Sequence, residues 1–283
     1  MNKFALTLFS VAALAAAATR TDMLASPEWL AAHLNDSKLV ILHVSTNRNA
    51  YDAGHIPGAR FVSQADLVTT RDGIPNELPE VDNLKKVLEA AGVSNDSHIV
   101  IYSDASVLPA TRAYFTMDYL GMGDRTALLD GGLERWKKEN RALTKDVPSV
   151  TAGTFTAHPK PELVVKIDAV KQMMGKTGGE ILLDSRPAAD YRGEKGAHIP
   201  GALNLNWMED QVSREDQSLK AEPELRKLYE SLGVTPDKKV VTYCNSGMQA
   251  SQSYFTLKYL GYDVKLYDGS MSEWNKNGAP TEK

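Results

Sequence analysis

Cys244 is the residue with the most chemistry to offer, being the single cysteine of the chain and standing at a change of pattern. The apolar run Lys239-Val240-Val241-Thr242-Tyr243 leads into Cys244-Asn245-Ser246-Gly247-Met248-Gln249, and a helical pattern continues to Leu260. A thiol on a strand-to-helix turn faces backbone N–H groups that have no partner inside the helix. Those donors and the helix N-terminal partial charge favour an anion at the sulfur. The expectation is a thiol held well below its free value of about 8.5. Gly247 supplies the backbone freedom for an inward-pointing cradle of N–H groups. Apolar or aromatic residues at 250, 254, 257 and 260 predict one buried helix face, and Gly261 suits the C′ position. The plain alternative is a small apolar residue packed at a strand end.

The elements that position this turn are written twice. His55-Ile56-Pro57-Gly58-Ala59 returns as His198-Ile199-Pro200-Gly201-Ala202. Tyr114-Phe115-Thr116 and Leu120-Gly121 return as Tyr254-Phe255-Thr256 and Leu260-Gly261, and the Asp130 to Trp136 segment returns as Asp268 to Trp274. Three matches in one order mean a tandem duplication. Each copy reads as α/β. Runs of buried-strand length lie at 39–44 and 98–102 in the first copy, and at 181–184 and 239–243 in the second. Helical patterns lie at 84–91 and 224–232, the latter closed by Gly233. Strands alternating with helices predict parallel sheets covered on both faces. The first copy is expected over 23–142 and the second over 162–283, joined by an aperiodic linker at 143–161 in which Gly153 to Thr156 could hide a strand.

Bulk composition sets the remaining bounds. A net charge of −4 creates no field that attracts nucleic acid or an anionic membrane, so an anionic substrate needs a local basic group. Met1 to Lys3 gives a basic start, Phe4 to Ala18 is almost wholly apolar, and Ala16-Ala17-Ala18 is a small-residue cleavage pattern. The run is shorter than the roughly 20 residues of a membrane span. Residues 1–18 are therefore expected to be an export signal, leaving a periplasmic or secreted protein without stable membrane association. A lone cysteine in an oxidising compartment has no internal disulfide partner, and is either inert and buried or present for its reactivity. Aligning Tyr102 with Tyr243 places Ser103 opposite Cys244, followed by Asp104-Ala105-Ser106-Val107-Leu108-Pro109. Thiol and glycine are both missing from that turn, which makes one copy active and the other silent.

Tyr51 with His55 to Ala59, the turns ending at Trp136 and Trp274, and the six-residue Cys244 loop together resemble the tandem rhodanese-domain sulfurtransferases. This is the family of thiosulfate and 3-mercaptopyruvate sulfurtransferases, and the likeness runs from about Met23 to the C-terminus. It implies two tandem rhodanese-like domains and a ping-pong reaction in which Cys244 takes the outer sulfur of a donor as a persulfide. A thiol or cyanide then removes it. Covalent catalysis of this kind splits one transfer into two steps, with the N–H cradle stabilising the anion. Met271 departs from the aromatic residue usual at its place.

By the same resemblance Arg186 is a donor-binding arginine and Arg192 a second one, used by mercaptopyruvate-type members. Guanidinium geometry suits carboxylate or thiosulfonate oxygens. An internal ion pair with Asp184 or Asp190 is the alternative for Arg186, and a solvated surface charge that for Arg192. Asn245, Ser246 and Gly247 look closer to the mercaptopyruvate loop, whereas Met248 and Gln249 depart from both common patterns. Thiosulfate or a related sulfane donor is the safer description. His55 and His198 recur in both copies, so a structural hydrogen bond explains them better than proton transfer. The other histidines have no ligand spacing, so neither metal nor cofactor is expected. A cysteine phosphatase would need an arginine where this chain has Ala250. A sulfur carrier that never turns over remains the rival of another class.

Overall fold

The computed structural model describes residues 17–175, 178–193 and 196–283. The expected export signal lies outside the described residues except for Ala17 and Ala18.

Eleven strands occur among the described residues: β1 (Leu24–Ala25), β2 (Leu39–Ser45), β3 (Arg60–Ser63), β4 (Thr69–Arg71), β5 (Ile74–Glu77), β6 (His98–Tyr102), β7 (Thr126–Leu129), β8 (Glu180–Asp184), β9 (Leu203–Asn204), β10 (Lys239–Tyr243) and β11 (Asp263–Leu266). The first copy builds a five-stranded sheet in the order β1-β7-β6-β2-β3 and the second a four-stranded sheet in the order β11-β10-β8-β9. Every pairing in both sheets is parallel. Helices cover both faces, so the four apolar runs are buried and all four become the inner strands of the sheets. The two predicted helices form as Val81–Ala90 and Glu222–Glu230. Gly233, at φ +77°, follows the second in the left-handed region that a side chain disfavours.

Each sheet packs one face on an outer apolar cluster of its own copy, centred on Trp136 in the first and Trp274 in the second. The other faces share a single central cluster. At its middle the Leu108–Tyr119 helix crosses its twin, the Met248–Tyr259 helix. Tyr114 meets Phe255 edge-on with ring centroids 4.9 Å apart, and Phe115 meets Tyr254 at the same distance. This corrects the expectation of one buried face. Residues 250 to 257 are all buried, because the second helix has its own sheet on one side and the other copy on the opposite side. Polar pairs are therefore spent inside, such as Thr111 with Ser251, 2.9 Å between hydroxyls.

The linker holds no strand at Gly153 to Thr156. Instead it is strapped to the first copy. Gly153 N–H donates to the Glu89 carbonyl, Phe155 N–H to the Glu89 side chain and Thr156 N–H to Asn95, while the Phe155 ring is buried. Asx and carboxylate acceptors satisfy this backbone in place of a ladder.

Candidate active site

Tyr243 ends β10 in register with Asp184 at the end of β8, which sets Cys244 at the carboxyl edge of the second sheet. The turn that follows is gripped on its backbone. Met271 N–H donates to the Cys244 carbonyl and Ser272 N–H to that of Asn245. The Ser270 hydroxyl accepts both the Cys244 and the Gly247 N–H, each at 3.1 Å, and donates to the Tyr267 carbonyl at 2.8 Å. To reach them Ser270 stands in the left-handed region at φ +50°, where the first copy has Gly132. Gly247, at φ +79°, turns the chain into the helix, and the backbone N–H groups of Ala250, Ser246 and Gln249 favour the charged form of the sulfur.

Those donors are the cradle expected, yet their effect on the thiol is outweighed. Burial pushes the Cys244 thiol up, the three N–H groups pull it down, and the Asp184 carboxylate adds to the rise. With the sulfur-bearing residue only 1 % exposed, the net direction is upward, which corrects the expected lowering.

Arg186 is held from within. Its guanidinium is folded back on Asp184, with Nη2 2.6 Å from Oδ2 and Nε 2.9 Å from Oδ1, and Nη2 also donates to the Ala197 carbonyl. Both residues are buried, and a buried carboxylate at a strand end demands such a counter-ion. The internal pair with Asp184 weighed from sequence is present. Arg192 stands exposed after the short Ala188–Tyr191 helix. Beside the pair, the Ser185 hydroxyl is buried without a partner among the described residues.

Within the loop, Asn245 is exposed and Ser246 half-buried, with its hydroxyl accepting from Asn76 Nδ2 at 2.9 Å. Met248 Sδ lies 3.7 Å from Gln64 Nε2. The Gln249 side-chain oxygen is buried and unpaired among the described residues. Asn76 and Gln64 belong to the first copy, so the loop is completed across the interface. Sequence reading missed these two, as well as Ser185, Arg112, Asp268 and Ser270. The one available signal was the serine standing in the second copy's Asp-Gly-Ser turn where the first has a second glycine.

The twin turn confirms the alignment of Ser103 with Cys244, since the Ser103 carbonyl accepts from Leu133 as that of Cys244 does from Met271. A cavity of about 200 Å³ borders this thiol-free loop, lined in part by Ser103, Asp104, Gly132 and Gln217. His55 and His198 are held alike: each Nδ1 bonds the carbonyl of a tyrosine, Tyr51 at 2.8 Å and Tyr191 at 2.7 Å, on whose ring it stacks. Among the described residues no group of three or more acidic, histidine or cysteine side chains is arranged to hold a metal ion. No described helix is long and apolar enough to cross a membrane.

The family model described as a rhodanese-like domain matches twice, at residues 26–139 and 166–277. The chain is 36% identical over 282 residues to the sulfur carrier protein TtuD of Thermus thermophilus, covering 93% of this chain and 97% of that one. It is 32% identical over 272 residues to the 3-mercaptopyruvate sulfurtransferase of Escherichia coli K12, covering 90% of this chain and 95% of the other. Among solved structures, the anaerobic ergothioneine biosynthesis enzyme of Chlorobium limicola in complex with trimethyl histidine superposes with a TM-score of 0.80 at 25% identity, covering 93% of this chain and 70% of that one. Both halves carry the same domain and one keeps the thiol: the chain belongs to the rhodanese-like family of sulfurtransferases, in its tandem-domain form.

Proposed function

We propose that Cys244 is the nucleophile of this sulfurtransferase and carries sulfur as a persulfide. The observation that supports it is the place of the chain's one thiol at a strand-to-helix turn, where the backbone N–H groups of Ala250, Ser246 and Gln249 favour its thiolate and whose twin has no thiol. The Cys244 thiolate attacks the outer sulfur of a sulfane donor such as thiosulfate. The donor's S–S bond breaks, sulfite leaves with the bonding pair, and the transferred sulfur stays on Cys244. Cyanide or a thiolate then attacks that terminal sulfur, the persulfide bond breaks, and the Cys244 thiolate returns.

The N–H cradle meets the charge that spreads over the two sulfurs. Arg186 neutralises Asp184 beside the thiol. Mass spectrometry after exposure to thiosulfate is expected to add one sulfur to the wild type and none to Cys244→Ala. An unmodified wild-type mass after thiosulfate and after 3-mercaptopyruvate would overturn the assignment.

A second reading, a carrier that loads once and passes its sulfur to a partner protein, is favoured by the relative named a sulfur carrier. Steady turnover with cyanide separates the two, since a carrier loads a single sulfur and stops. The first eighteen residues support export to the periplasm or beyond. An intact-mass measurement on the protein from the exporting cell tests this, and retention of Met1 to Ala18 would overturn it.

A further inference from the structure

Arg112 occupies the place on the Leu108–Tyr119 helix that Gln252 occupies on the twin helix, and it is fully buried. It is thus a cation supplied by the thiol-free copy alone. Its Nη1 and Nη2 grip the two carboxylate oxygens of Asp268 in the catalytic copy, the second at 3.1 Å, and Nη2 also donates to the Asn76 carbonyl at 2.6 Å. Asp268 Oδ2 accepts the Leu78 N–H at 3.0 Å. Asn76 stands in the left-handed region at φ +62°, and its amide reaches the Ser246 hydroxyl.

The cluster presses on the cysteine loop directly. A Cβ added to Gly247 would lie 2.6 Å from Asp268 Oδ1 and 3.1 Å from Arg112 Nη1. Two residues beyond Asp268, Ser270 holds the Cys244 and Gly247 N–H groups. A bidentate guanidinium therefore fixes the carboxylate, the carboxylate and Ser270 fix the Gly247 turn, and the turn aims the cradle at the sulfur. The silent twin is assembled otherwise. Asp130 accepts the Leu219 N–H at 3.0 Å, as Asp268 accepts that of Leu78, but its cation is Arg135 of its own copy.

We propose that Arg112 is a positioning residue for Cys244: across the interface, through Asp268 and Asn76, it holds the loop in the conformation in which its N–H groups face the sulfur. The proposal rests on the reading of Cys244 as the persulfide-forming thiol. It makes the first copy a working part of the catalytic site.

Single-turnover sulfur loading from thiosulfate, followed across donor concentrations in the full chain, tests it. Losing one aligned donor in an anion cradle typically costs about a hundredfold or more in rate. Arg112→Gln leaves the three donors in place but loosely held, so its saturating loading rate is expected to fall about tenfold or more. The donor concentration at half-saturation should stay within about threefold of wild type, since alignment acts on the charge formed in the transition state. Arg112→Lys, a point charge without the fork, should recover only part of the loss.

A folded Arg112→Gln that loads within about twofold of the wild-type rate, or whose only change is weaker donor binding, overturns the proposal. If that variant does not fold, Asn76→Gly decides. It keeps the left-handed backbone and cuts only the arm to Ser246; a rate drop at unchanged melting temperature supports the proposal, and an unchanged rate overturns it. Loading of Cys244→Ala in the same series reports separately on the underlying reading, which fails if that variant still gains sulfur.

Discussion

At the scale of single residues, the raised Cys244 thiol and the pairing of Arg186 with Asp184 have one reason, the cost of burying charge. A raised thiol is mostly protonated near neutrality, so the alkylation rate of Cys244 by iodoacetamide should keep rising as pH climbs past the range where a free thiol has levelled off. A plateau reached below pH 8 would contradict this. Truncating a buried ion pair leaves its partner uncompensated, at a cost of about 3–5 kcal/mol. Arg186→Ala is therefore expected to lower the melting temperature markedly, and not only to weaken donor binding; a normal melting curve with a raised KM would restore the substrate role. The loop residues were legible in the sequence because a lone cysteine before a glycine at a strand-to-helix change is a local pattern. Whether Arg186 meets a donor or Asp184 depends on how deeply Asp184 is buried, which no local pattern reports.

At the scale of elements, four inner strands followed from apolar runs and duplication, whereas the strand order and the burial of residues 250–257 on every side of the Met248–Tyr259 helix did not. Its spacing shows one apolar stripe because Ser251, Gln252, Ser253 and Thr256 are polar residues buried against partners the sequence does not name. One such partner tests the element. Asp210, in the short turn Trp207–Asp210 packed on this helix, is fully buried, and both its oxygens accept from the Tyr229 hydroxyl. Burial pushes its carboxyl up to about 7, against the opposing pull of Thr256 and Tyr229. The folded state thus keeps this proton after the unfolded chain has released it. The resulting stability is complete below about pH 4 and is lost as pH rises towards 7, by up to about 1.4 kcal/mol per pH unit. Asp210→Asn should remove that slope, so wild-type and variant denaturation midpoints should converge or cross between pH 4 and 7. Parallel midpoints across that range would mean that Asp210 is ionised throughout.

At the scale of the whole molecule, the crossing of the twin helices joins the copies into one unit. Asp118 lies at that joint. Burial alone would raise its carboxyl, but Lys258, the Tyr254 hydroxyl and Lys160 hold it below the ordinary range. Its contribution is complete above the unfolded value near 3.8 and is lost as pH falls through the folded one. Asp118→Asn should therefore lower stability at neutral pH and match the wild type in strong acid; an equal deficit at both would assign its effect to packing. Phe115→Ala, which empties one edge-on contact across the joint, is expected to cost about 3–5 kcal/mol by chemical denaturation. The ties on the cysteine loop also carry a temporal consequence. Arg112 to Asp268, Asn76 to Ser246 and Gln64 to Met248 span 156, 170 and 184 residues of chain. Contacts so distant in sequence form late, after local helices and strands, because the closure entropy must be met first. During refolding, then, helical signal should return before sulfur loading does. In that interval Cys244 is an ordinary exposed thiol, most open to oxidation while the chain is still becoming itself.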